Sequence, residues 1–159
     1  MLRSLLATAL FCAFASHAYA VDSDGTRPDP VLTPGAVRTT DRAEICSTKT
    51  GDVRNVSGSL KLSVYRRYGM IGPSAAFPGT DLLPPYEIDH LVSLELGGSN
   101  DITNLWPEAF GQTFGAHAKD VLENRLHKLI CNGQITPQDA QREIAADWIA
   151  AYRKYVGAP

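Results

Sequence analysis

The stretch that most restricts what this chain can become runs from Tyr86 to Pro107, YEIDHLVSLELGGSNDITNLWP. Tyr86 to Val92 alternates in character and is rich in strand-forming residues. It predicts a strand with Tyr86, Ile88 and His90 on one face and Glu87, Asp89 and Leu91 on the other. Gly97-Gly98 with Ser99-Asn100-Asp101 predicts a return loop, and Ile102 to Leu105 a second strand that Pro107 stops. Neighbours on a regular strand point to opposite faces. Asp89 and His90 can therefore converge only where the strand ends or bulges.

Helical signals surround this unit. Ser57 or Ser59 can cap a helix to about Tyr68, with Leu60, Val64 and Tyr68 as its apolar stripe and Gly69 as its stop. Ala116 to Cys131 reads as a helix with Val121, Leu122, Leu126, Leu129 and Ile130 on one face, ended by Asn132-Gly133. A last helix starts with Thr136 as cap, Pro137 at its first position and Asp139 completing a box-like pattern. Its repeat of Ala140, Ile144, Trp148 and Tyr152 is a core face. Ile45-Cys46 reads as a short extended piece. Met70 to Pro85, with Pro73, Pro78, Pro84 and Pro85, reads as a loop that walls the central unit. The fold class is α+β: a small, mainly helical domain around two short antiparallel strands and a helix.

The first residues belong to a different category. Arg3, an apolar run over Leu5–Phe14 and Ala18-Tyr19-Ala20 form a secretory signal peptide, residues 1–20, and the run is too short to span a bilayer. Residues 21–42, rich in Asp, Pro, Gly and Thr, read as a flexible leader, and 43–159 as the folded domain. Export to the periplasm or the medium follows, with no membrane contact after cleavage. Cys12 leaves with the signal. Cys46 and Cys131 remain, and two cysteines in an exported domain read as one disulfide. The formal charge is −2 and the sequence pI about 6.0, which excludes a protein that grips nucleic acid by bulk charge. Any phosphate binding has to be local.

Residue chemistry then narrows the choice. A carboxylate such as Asp89 can hold a hard divalent cation, the neutral imidazole of His90 can take a proton from water, and Asn104 on a paired strand can hold that ring. Tyr86-Glu-Ile-Asp-His-Leu, Leu94-Glu-Leu-Gly-Gly-Ser-Asn, Asn104-Leu-Trp-Pro and Lys119-Asp-x-Leu-Glu123 resemble motifs of the HNH endonucleases, the ββα-metal fold, and of a group of small exported bacterial HNH-type proteins. So do Cys131-x-Gly133, Ala140-Gln-x-x-Ile144 and Asp147-Trp148. The HNH core motif covers about Tyr86 to Ile130, and the likeness to the exported group runs from about Ile45 to Tyr152. The resemblance implies His90 as general base, Asp89 as ligand to one divalent cation and Asn104 as the residue fixing the His90 ring. It implies a third position on the helix. The usual short spacing lands near Thr113, a poor match, so His117 at the helix start is taken as the ligand, behind a longer loop. The implied ion is magnesium, with manganese, zinc or nickel as alternatives. The implied activity is metal-dependent hydrolysis of phosphodiester bonds in DNA or RNA, with low sequence specificity, by a monomer. A cognate inhibitor protein is a further partner that nothing in the sequence marks. The alternative is a non-catalytic exported binding module that keeps an HNH-like fold.

Overall fold

A computed structural model describes residues 25–70 and 86–158. The segment expected to be a signal peptide, 1–20, the start of the expected leader and all but the first residue of the expected loop, 71–85, lie outside the described residues. Helix α1 spans Arg42–Ser47, α2 Thr50–Val53 and α3 Gly58–Arg67. Strands β1, Tyr86–His90, and β2, Leu105–Ala109, follow, and α4, Ala116–Cys131, and α5, Pro137–Tyr155, complete the chain. The domain is α+β and mainly helical, with one two-stranded antiparallel sheet.

Local signals account for the helices. Ser57 Oγ accepts from Leu60 N at 3.1 Å to open α3. Gly69, with φ of 67°, ends it, so that Met70 N reaches back to Tyr65 O at 2.9 Å. Thr136 Oγ1 accepts from Asp139 N and donates to the Asp139 carboxylate, which sets the start of α5. α5 is broken at Asp147, whose extended backbone interrupts the helix. Its Oδ1 then accepts from Ile149 N and Ala150 N and so caps the final turns. Asp41 caps α1 through Glu44 N at 2.8 Å, so Ile45-Cys46 is helical rather than extended. α4 packs against α1 and α5, and α3 against β2. Trp106 and Trp148 are buried in the shared core with Ile45, Leu122, Leu126 and Ile144.

The second strand lies later than the sequence suggests. Asp101 caps a short 3-10 turn over Ile102–Asn104, and β2 begins at Leu105 and runs through Pro107. Both strands of a two-stranded sheet are edges, and every second backbone N–H points away from the partner. Proline fits at such a position without losing a ladder bond. The register pairs Asp89 with Trp106, Ile88 with Pro107 and Glu87 with Glu108. Asp89 therefore shares one face with Glu87, Trp106 and Glu108.

Residues 25–42 are not a flexible leader but part of the fold. Trp148 Nε1 donates to Thr26 O at 2.8 Å, and buried Thr33 bonds Leu105 O and the Tyr68 hydroxyl. Gly35 N donates to Thr103 O, Ser99 N to Ala36 O and Arg38 N to Gly97 O. The strap is held chiefly by backbone hydrogen bonds and a few buried hydroxyls, which composition does not register. It also explains Gly97-Gly98. Gly97 has φ of 85°, and a Cβ there would collide with Thr39 O, while a Cβ on Gly98 would collide with the Val92 carbonyl.

Candidate functional site

β1 ends at His90, and with it the strict alternation of side chains. Asp89 Oδ1 and His90 Nδ1 lie 3.8 Å apart at that end. They form the floor of a cleft of about 210 Å³ with Ser93. Glu95 borders it from the turn at Leu94–Leu96, Asp120 and Glu123 from α4, and Arg54 from the chain just after α2. The His90 side chain is only 2% exposed, so its ring presents an edge to the cleft.

The residue that orients this ring is Asn100. Its Oδ1 lies 3.1 Å from His90 Nε2. The amide is itself oriented, because Nδ2 donates to Val53 O at 2.8 Å and Oδ1 accepts from Asn55 N at 3.1 Å. An acceptor facing Nε2 requires a proton there. In the neutral ring the lone pair then sits on Nδ1, on the Asp89 side.

Asn104, expected to do this work, does not touch the ring. It is fully buried and closes the loop behind the site. Its Nδ2 donates to Val92 O and Ser99 O, and its Oδ1 accepts from Val92 N and Ala36 N. The polar loop and the strap converge on one amide, which explains why the sequence needs asparagine here.

The centre of the site is a buried lysine. Lys119 reaches inward from α4, and its Nζ donates to Asp89 Oδ2 at 2.7 Å, His90 O at 2.7 Å and Glu123 Oε1 at 2.5 Å. These three bonds use all three of its protons. Glu108 Oε2 lies 3.7 Å away, and neither Glu108 carboxylate oxygen has a hydrogen-bond partner. The Lys119 side chain is 1% exposed.

Burial opposes its charge, but the carboxyls of Asp89, Glu108 and Glu123 overcome that and hold its pKa well above the ordinary lysine value. Burial also works to raise Asp89, yet the Lys119 charge wins and the carboxyl titrates well below the usual range. Glu108 is pushed well up by burial against the pull of Lys119. Burial pushes Glu123 up to about 8, again against Lys119. One lysine cannot balance three carboxylates. Asp89, the most exposed of them, takes the negative charge, while burial favours the neutral forms of the two glutamates.

The structure does not bring together the two residues expected to hold a divalent ion, Asp89 and His117. Asp89 Oδ2 is bonded to Lys119. His117 is exposed at the start of α4, tilts against Phe110 at 6.4 Å between ring centroids, and does not line the cleft. Among the described residues, the one trio of His, Cys, Asp or Glu ligand atoms that converges is Cys46, His127 and Cys131. Two of those are joined in the disulfide that ties α1 to the end of α4, as the cysteine count predicts.

Glu108 carries no role in the sequence reading, and Lys119, Glu123 and Asn100 stand there only within the motifs of the resemblance or the return loop, not as site residues. One signal was present: Lys119 and Glu123 are four apart on the helix and flank Leu122, so both lie near its buried stripe. Comparisons of the chain with protein-family models, with curated proteins and with solved structures found no match.

Proposed function

We propose that the chain is an exported phosphodiester hydrolase of HNH type that cuts nucleic acid with low sequence specificity at the cleft over His90. One observation carries this reading: an imidazole held at Nε2 by an oriented amide, with Nδ1 3.8 Å from Asp89 Oδ1, in the lining of a cleft that Arg54 shares. A base with an orienting partner beside a cation fits attack by water on a phosphate. The ββα order, with Asp-His at the end of the first strand, agrees with the resemblance to HNH nucleases.

In this reading Arg54 pairs a phosphate oxygen in the cleft. Nδ1 of His90 takes a proton from water as the oxygen bonds to phosphorus. The bridging bond to the leaving oxygen breaks, and that oxygen takes a proton from Glu123, which is kept as a carboxylic acid by burial and borders the same cleft. The net charge of −2 confines phosphate recognition to Arg54 and its surroundings, so DNA and RNA are both candidate substrates. Among the described residues no helix is long and apolar enough to cross a membrane.

A second reading, an exported module that binds without catalysis, has one observation in its favour: Lys119 fills the place beside Asp89 where the HNH resemblance expects a metal ion. Incubating the mature chain with plasmid DNA and with RNA, in chelator and in magnesium, separates the two. Cleavage that disappears in His90→Ala is expected. Cleavage that persists in His90→Ala removes the base from the mechanism, and intact nucleic acid in every condition leaves the binding module.

A further inference from the structure

We infer that the Lys119 ammonium is the resident cation of this site, standing where a divalent metal ion would bind Asp89, so that the chemistry at His90 runs without an ion at that position. The second half rests on the hydrolase reading above; the first half does not.

The donor set is the argument. Asp89 Oδ2 from β1, the His90 main-chain oxygen and Glu123 Oε1 from α4 meet at one point, each within 2.7 Å of Lys119 Nζ, with Glu108 Oε2 from β2 at 3.7 Å. Two strands and a helix supplying oxygen to a single centre is what a hard cation takes. Here the cation is covalently attached to the helix. Its three protons are all used, so it offers no free donor to substrate. With the Lys119 side chain 1% exposed, its position is closed, and an ion could enter it only by displacing the ammonium. A second cation on Asp89 would also face the fixed ammonium at close range in a poorly solvated site.

An ammonium can do some of what a metal does and not the rest. It neutralises Asp89 and fixes both that carboxylate and the main chain of His90, so Lys119 is a positioning residue. It cannot bind water and acidify it, which leaves proton removal to His90 and leaving-group protonation to a side-chain acid. Glu108 fits the same picture. Its Oε2 faces the same ammonium at 3.7 Å, beyond hydrogen-bond reach, and burial favours its neutral form, so it adds no second charge to the position.

The test is a manganese titration of the mature chain followed by electron paramagnetic resonance, alongside cleavage assays in chelator. The wild type is expected to show no manganese binding that depends on Asp89, and cleavage unchanged by chelator. Lys119→Ala empties the position and leaves Asp89, Glu108, Glu123 and the His90 carbonyl around it. That variant is expected to bind one manganese ion per chain, lose about a hundredfold in rate in chelator, and recover when magnesium or manganese is added. A wild-type ion lost on Asp89→Asn overturns the assignment, as does a folded Lys119→Ala that binds none. Wild-type cleavage abolished by chelator overturns the metal-free step. If Lys119→Ala does not fold, the wild-type titration with its Asp89→Asn control decides alone. If neither DNA nor RNA is cut, the hydrolase reading falls, and the same titration still decides what fills the cation position.

Discussion

Replacing Lys119 with methionine keeps much of the buried stem and removes only the charge and its donors. The wild-type ammonium holds Asp89, Glu123 and the His90 carbonyl at 2.5 to 2.7 Å with its side chain 1% exposed. Removing one partner of a buried pair costs about 3 to 5 kcal/mol, because the remaining charge is stranded. The stranded charge here is Asp89, since Glu108 and Glu123 already favour their neutral forms. With a urea dependence of about 1.5 kcal/mol per molar, the midpoint should fall by about 2 to 3 M near neutral pH.

The pH dependence gives a sharper check. In the wild type the folded Asp89 carboxyl lies below its ordinary value of 3.8, so its stabilisation is present above that value and is lost only as pH falls through the lower folded value. In Lys119→Met, burial, the largest influence, is opposed only by the hydrogen bonds from His90, so the same carboxyl rises and protonation relieves the variant as pH falls. The difference between the two proteins should therefore be largest near neutrality and shrink toward pH of about 4. Urea unfolding followed by far-ultraviolet circular dichroism at both pH values measures this. A midpoint shift under about 0.5 M at neutral pH, or the same difference at both, would refute the charge assignment.

Replacing both Cys46 and Cys131 with serine opens a loop with a sequence separation of 85, and should lower the unfolding free energy by about 4 kcal/mol in chemical denaturation. Asn104→Ala removes the side-chain partner of four backbone groups, in two buried and two part-buried hydrogen bonds, and should cost about 2 to 4 kcal/mol, whereas Asn100→Ala should cost about 1 kcal/mol and instead alter the tautomer balance of His90 seen in its ring-nitrogen chemical shifts. Glu123 has its folded carboxyl raised from 4.5 to about 8, so its contribution is full below the lower value and is lost as pH rises through the upper one. Glu123→Gln should flatten the decline in thermal midpoint across that window, and a wild-type midpoint that rises there would contradict the burial of a neutral acid.

The two long helices were legible in the residues because their signals are local. Thr136, Pro137 and Asp139 set the start of α5, and Asn132-Gly133 closes α4, within a turn of the positions they govern. The convergence of Asp89 and His90 was legible for the same reason, since alternation can fail only where β1 ends. The disulfide followed from a count of two cysteines.

Other features depend on which distant groups meet. Composition marks residues 25–42 as loose, yet Thr26 accepts from Trp148 across 122 positions. Two asparagines four positions apart look interchangeable as partners of His90. Only the folded loop assigns Asn100 to the ring and Asn104 to the backbone behind it. Lys119 and His117 sit two apart near the start of one helix, and rotation about its axis buries the first and exposes the second. Periodicity and caps act over a few residues and survive in the linear chain. The state of a charge depends on how much water and how many opposing charges surround it, and those are supplied by β1, β2 and α4 only after they pack together.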